Sequence, residues 1–262
     1  MNTSDIKTFV SLLRVLDEAG ALRHTAIIGS WAELLYSLSG ALPGFEFSPA
    51  TRDIDVLVRN LRLPSEPIAL TSIARERGIA VQSDRMTSST RFIMPGGYEV
   101  EFLIAKRGAG REASLKTNIG VTADSLRHLD ILTSNLMQVD YLGMAVNVPT
   151  PEAYALQKLV INEERAGQRT PKALKDAAAV AELWPHLDTG RLVETASHLT
   201  RKEAARMRAA LGTYGLELSA REVPRLTWAN VNGPTDIEIC GKVTGEPILP
   251  EESEQDIDGY SL

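Results

Sequence analysis

Asp53-Ile54-Asp55 places two carboxylates two residues apart in a run, Asp53 to Val58, that alternates acid with aliphatic side chains as a strand does. Side chains two apart on a strand face the same side, so Asp53 and Asp55 are presented together while Ile54 turns inward. Glu101 sits in Tyr98-Glu99-Val100-Glu101-Phe102-Leu103, where a neighbouring strand can bring a third carboxylate to the same edge. Three converging carboxylates repel one another unless a cation lies between them, and an oxygen-only donor set suits Mg²⁺, which commonly shares phosphate ligands. Upstream, Ala26-Ile27-Ile28 meets Gly29-Ser30, and helical character resumes from Trp31 to Leu38. A strand, a glycine turn and a helix N-terminus together offer free N–H groups and a positive dipole end to a phosphate. Each feature alone is also ordinary: a solvated strand edge, one acid of a half-exposed strand, a simple connection.

The elements around them fall into two compositions. Residues 4–19 carry Ile6, Phe9, Val10, Leu13 and Leu16 at helical spacing. Residues 40–52 hold two Gly and two Pro and read as a loop. A helix is expected over 67–77 with Gly78 as its C-cap, then strands over 79–82, 91–94 and 98–104, the last two joined as a hairpin by Pro95-Gly96-Gly97. Residues 106–135 give no clear period, and Met137–Val148 reads as extended. From Thr150 the pattern is helical: 151–165, 171–184, 189–198 and 202–214, with Pro151 and Pro171 each following a threonine suited to an N-cap. The expected class is therefore α/β over 1–149, followed by an all-α domain over 150–222 and a loosely ordered acidic tail over 223–262.

The chain has 262 residues, 44% apolar and 24% charged, which excludes wholesale disorder. No apolar run approaches the ~18 residues of a membrane span, and the N-terminus is not built as a secretory signal. A single cysteine, Cys240, leaves no internal disulfide or cysteine-based zinc cluster. These features predict a cytoplasmic protein without a membrane partner. The net charge of −6 is carried by six acids within residues 246–262; without them the body holds 28 basic and 28 acidic residues. Acidity therefore does not argue against a nucleotide or RNA partner. His24, His128, His186 and His198 show no metal-ligand spacing. Arg201, Lys202, Arg206 and Arg208 read as a solvated helix face that could also touch RNA backbone.

The order strand, Gly-Ser, helix, loop, D-x-D strand, then hairpin with an acid before Phe-Leu resembles the DNA polymerase β-type nucleotidyltransferase superfamily, and the resemblance implies that the α/β part is a mixed sheet with flanking helices. Ile27-Ile28-Gly29-Ser30-Trp31-Ala32 with Thr51-Arg52-Asp53-Ile54-Asp55 is similar to the branch that contains abortive-infection toxin nucleotidyltransferases. Val148-Pro149-Thr150-Pro151-Glu152, Lys158-Leu159 and the later Lys175-Asp176 resemble a bacterial family of nucleotidyltransferases, and the likeness spans residues 22–184. It departs from minimal members in a longer gap between Ser30 and Asp53, which implies a flexible insertion. The resemblance implies that Asp53, Asp55 and Glu101 hold one or two Mg²⁺ ions (or Mn²⁺), and that Glu101 helps an acceptor hydroxyl lose its proton. It implies that Gly29 and Ser30 bind phosphates of an NTP, with Lys158 and Arg52 assisting. On spacing alone Lys158 reads as a solvated helix lysine close to the apolar stripe of Ala155, Leu156, Leu159 and Val160, and Lys175-Asp176 reads as a structural ion pair or helix-packing contact. The implied acceptor is a tRNA end, a protein hydroxyl or a small molecule, and a toxin role follows by analogy. The alternative is a non-catalytic nucleotide-binding or interaction module on the same fold.

Overall fold

The computed structural model describes residues 3–49, 51–166 and 171–216. The expected tail 223–262, Cys240 and Thr170 lie outside the described residues.

The chain opens with α1 (Thr3–Glu18), whose Phe9, Leu12, Leu13 and Leu16 are fully buried. A short 3₁₀ turn, Leu22–His24, leads into β1 (Thr25–Ile28), then α2 (Ser30–Leu38) and β2 (Asp53–Val58). Next come α3 (Leu70–Glu76), β3 (Ala80–Ser83), β4 (Thr90–Met94) and β5 (Tyr98–Ala105). α3 begins later than the apolar spacing predicts. The Ile68 N–H is committed to the Asn118 carbonyl at 2.8 Å, which holds the preceding residues extended. Gly78 closes the segment with φ +76°, and Gly96 and Gly97 make the β4–β5 turn with φ +80° and +75°.

The region 106–135, which shows no period in sequence, folds as β6 (Ser114–Lys116), β7 (Thr122–Leu126) and the single turn α4 (Asp130–Thr133). β7 pairs with β5 in parallel, Leu103 opposite Asp124. Residues 136–149 make a hairpin, β8 (Leu136–Tyr141) and β9 (Met144–Pro149), turning at Leu142-Gly143 with positive φ at both. Helices α5 (Pro151–Ala166), α6 (Pro171–Leu183), α7 (Thr189–Ser197) and α8 (Arg201–Tyr214) follow. The Thr150 hydroxyl accepts from Ala153 N–H at 3.3 Å, as its N-cap position predicts.

The main sheet runs β1-β2-β5-β4-β3, with β7 taking the half of β5 that β4 leaves free and β6 pairing outside β7. β2 and β5 are parallel; β1–β2, β4–β5 and β3–β4 are antiparallel. This mixed sheet with flanking helices is the predicted class. Ile54, Val56, Val58, Val100, Phe102 and Ile104 fill the inner face. The core they start continues without a break through α1, α2 and the β8–β9 hairpin into α5–α8. Polar ties reinforce it: the Tyr36 hydroxyl donates to the Pro149 carbonyl at 2.8 Å, and Asn147 donates to the Thr25 carbonyl at 2.9 Å. The loop 40–49 is not loose, contrary to the expected flexible insertion. Leu42 and Phe45 are buried, and Phe45 packs edge-on against His186 at 5.5 Å. Nor is Arg206 on a simply solvated face: it bonds His128 at 3.0 Å, while His128 meets Glu203 at 2.6 Å.

Candidate active site

The register of the sheet, rather than sequence proximity, assembles the carboxylates. Asp53 stands opposite Glu99 and Asp55 opposite Glu101 across β2 and β5, so four acids share the outer face of two central strands. Arg91 on β4 stands opposite Glu101 and completes the row. Its guanidinium pairs with Glu99, reaches Glu101 at 3.2 Å and extends to Asp84 at 3.5 Å. Neither Arg91 nor Glu99 stood out in sequence. Two-residue alternation around Glu101 would have found Glu99, but Arg91 needs the antiparallel register.

Gly29 is fixed twice over. Its φ of +66° with ψ −157° is open to glycine alone, and a Cβ there would stand 2.6 Å from Asp55 Oδ2. The turn thus carries the N-terminus of α2 right against Asp55. Trp31, buried in the next turn, donates its indole N–H to the Asp53 carbonyl at 3.0 Å and packs on Phe9 at 4.6 Å. The Thr51 hydroxyl accepts from Asp53 N–H at 3.1 Å and lies 3.3 Å from its carboxylate. The D-x-D backbone is therefore held from both sides before any ligand arrives.

Beside this row lies a cleft of about 340 Å³. Ser30 and Glu33 of α2, Phe47 of the 40–49 loop, Tyr154 and Lys158 of α5, and Lys175 of α6 line it. Lys158 donates to Asp176 Oδ1 at 2.6 Å and lies 5.4 Å from the centre of the Tyr154 ring. Asp176 thus makes an ion pair across the α5–α6 packing, with Lys158 rather than Lys175, and Lys158 is not a solvated lysine. Arg52 goes elsewhere: it is exposed, and a Cβ on Gly97 would stand 3.4 Å from its Nη1, at the β4–β5 turn. The structure brings Ser30, Lys158, Asp55 and Gly29 together and leaves Arg52 outside that cleft.

Burial raises the Asp55 carboxyl above the usual range, opposed by Lys158 and abetted by Asp53. Burial likewise raises Glu101, with Arg91 pulling it down and Asp55 and Glu99 pushing it up. In both groups the neighbouring acids add to the effect of burial. Among the described residues no three His, Cys, Asp or Glu side chains are gathered in metal-binding geometry. The strands nevertheless put Asp53, Asp55 and Glu101 on one face at adjacent registers, with Glu101 drawn aside by Arg91. An all-carboxylate donor set of this kind is the chemistry that suits a hard divalent cation.

Glu33 was not legible as a site residue. It is 1% exposed, and its Oε1 has no hydrogen-bond partner. Burial pushes its carboxyl up to about 7, against the pull of Lys158 and the nearby Tyr154 hydroxyl. The native state therefore holds this proton more tightly than the unfolded chain, and stability falls as pH rises from the ordinary Glu range to about 7. Glu33→Gln should stabilise the protein by on the order of 3 kcal/mol at pH 8 and far less at pH 5. Urea denaturation at the two pH values measures this; an equal effect at both would mean that Glu33 does not titrate in this window.

The Nucleotidyltransferase family profile matches residues 7–203. No curated protein matches the chain. Among solved structures, an antigenic nucleotidyltransferase-like protein from Paracoccidioides brasiliensis is 15% identical, with a TM-score of 0.50 over 81% of this chain and 90% of that one. ANT(2")-Ia in complex with adenylyl-2"-tobramycin is 14% identical, with a TM-score of 0.42 over 80% and 99% of the two chains. The lincosamide antibiotic adenylyltransferase LnuA, lincomycin-bound, is 12% identical, with a TM-score of 0.38 over 68% and 97%. The profile spans most of both the sheet and the helices around the cleft, and the chain belongs to the nucleotidyltransferase family of enzymes.

Proposed function

We propose that this nucleotidyltransferase moves a nucleoside monophosphate from an NTP to an acceptor hydroxyl, in the cleft between the α/β part (1–149) and the helical part (150–222). The observation that carries this reading is the shared cleft of Ser30 and Lys158, with Lys158 acting electrostatically on Asp55. The triphosphate lies on the N-terminus of α2, where Gly29 and Ser30 offer N–H groups and a hydroxyl, and Lys158 supplies a point charge. Arg52 is the more distant helper. Asp53, Asp55 and Glu101 would hold Mg²⁺ or Mn²⁺. An ion held there would supply charge neutralisation at the phosphoryl group and lower the cost of losing the hydroxyl proton. The acceptor oxygen forms its bond to the α-phosphorus as the bond to the β-phosphate bridging oxygen breaks, and pyrophosphate leaves. The hydroxyl proton passes to Glu101, whose carboxylate lies 3.2 Å from the Arg91 guanidinium.

The acceptor is an RNA end, a protein hydroxyl or a small molecule, and modification of a cellular tRNA or protein would make the enzyme a toxin. Incubation with each α-labelled NTP, total RNA and a cell extract, with Mg²⁺ or with EDTA, separates these outcomes when RNA, protein and small-molecule fractions are counted. Metal-dependent label in one fraction is expected. Saturable NTP binding with no transfer to any fraction would leave a binding module instead. Among the described residues no helix is long and apolar enough to cross a membrane.

A further inference from the structure

A second cavity, of about 420 Å³, opens on the opposite side of the carboxylate row from the Ser30–Lys158 cleft. Its walls are the β3–β4 turn with Thr87, the β5–β6 loop, and Ser114, Asp124 and Ser125 of β6 and β7. Asp124 pairs opposite Leu103, two residues beyond Glu101 on β5. It therefore shares the outer face with Glu101, about 8 Å away by strand spacing and rise. Arg91 links the same wall to Glu101, because it reaches Asp84, whose Oδ1 accepts from Met86 N–H and Thr87 N–H, both at 2.8 Å. In-line displacement needs the attacking oxygen opposite the departing pyrophosphate. With the triphosphate on the α2 side of Asp55, the attacking hydroxyl must come from the β5 side, where this cavity opens.

The charges on the segments that wall the cavity identify the kind of acceptor. Arg85 precedes the lining Met86, Arg111 precedes the lining Glu112, and Arg107 follows Lys106, whose N–H bonds the carbonyl of the lining Leu126; all three arginines are exposed and make no ion pair among the described residues. The acids nearby are engaged: Glu112 with Arg127 at 3.6 Å, Asp124 with the Ser114 hydroxyl, Asp84 with Arg91. Free guanidinium groups on the segments flanking a cavity lined by Thr87, Ser114, Ser125 and the two engaged acids Glu112 and Asp124 match phosphate esters better than an aminated, cationic acceptor.

Building on the proposed transfer reaction, we propose that this cavity is the acceptor site and that it takes the terminal ribose of an RNA strand, whose backbone phosphates lie on Arg85, Arg107 and Arg111. The test is R85A/R107A/R111A in the full chain. Fluorescence anisotropy with a short single-stranded RNA, across a salt series, should show at least about tenfold weaker binding and a log–log salt slope smaller by about 2, since each single-strand phosphate contact contributes about 0.7. NTP affinity by calorimetry and the melting temperature should match the parent protein. RNA bearing a 3′-hydroxyl should be labelled, whereas 3′-blocked RNA, a nucleoside 5′-monophosphate and an aminated sugar should not. Unchanged RNA affinity in the triple variant, or labelling of the aminated sugar or the free monophosphate in preference to RNA, would overturn the proposal. Absence of NTP binding by the parent protein would instead overturn the transfer reaction beneath it.

Discussion

Asp55→Asn should reduce nucleotide transfer about a thousandfold while the chain stays folded. The size follows from the several kcal/mol of charge stabilisation that a metal-binding carboxylate supports, about 4 kcal/mol for three decades in rate. The retained fold follows from the site itself. Burial and Asp53 hold the Asp55 carboxyl above its ordinary range, so the native state has the higher affinity for its proton. That burden on stability grows as pH rises from the ordinary Asp range through the raised value, and the neutral amide is free of it. The variant should therefore be at least as stable as the parent at pH 8 when no metal is present. Adding Mn²⁺ should raise the parent's melting temperature and leave the variant's nearly unchanged, because only a ligand that binds the native state stabilises it. Pyrophosphate release and a thermal scan with and without Mn²⁺ are the two measurements. Activity within tenfold of the parent would remove Asp55 from the metal set; a large fall in melting temperature without metal would make it a structural acid.

What the sequence made legible was local. The D-x-D strand, the Gly-Ser turn and every long helix show in spacing and turn chemistry, because the side chains that define them are neighbours along the chain. β7 did not show. Its pairing partner, β5, lies some twenty residues earlier in the chain, and Thr122, Asp124 and Leu126 carry no apolar alternation once Asp124 faces the outer cavity. The same limit hides the acid row. Glu101 could be matched to the D-x-D by family pattern, but only the β2–β5 register aligns it with Asp55, and only the β4–β5 register puts Arg91 across from it. Lys158 shows a different limit: spacing put it near the apolar stripe of α5, but not against Asp176, because that contact depends on how α6 packs on α5.

That contact changes the expectation for Lys158→Ala. A lysine serving only a triphosphate could be removed with little loss of stability. Here the ammonium is 17% exposed and its partner Asp176 is 4% exposed. Truncation removes the ammonium from beside a buried carboxylate, which costs about 3 kcal/mol. It also removes the charge that steadies ionised Asp55 and Glu33, so both acids should hold protons to higher pH. NTP affinity should fall by about ten- to a hundredfold, the loss expected of a charge-assisted contact worth about 1.5–3 kcal/mol. The two effects separate in the double variant Lys158→Met with Asp176→Asn, where no buried charge is left unmatched. Most of the lost stability should return and the NTP affinity should not. Recovery of affinity along with stability would mean that Lys158 works by holding α6 against α5. Persistent weak binding in a stable protein would place its ammonium on the triphosphate.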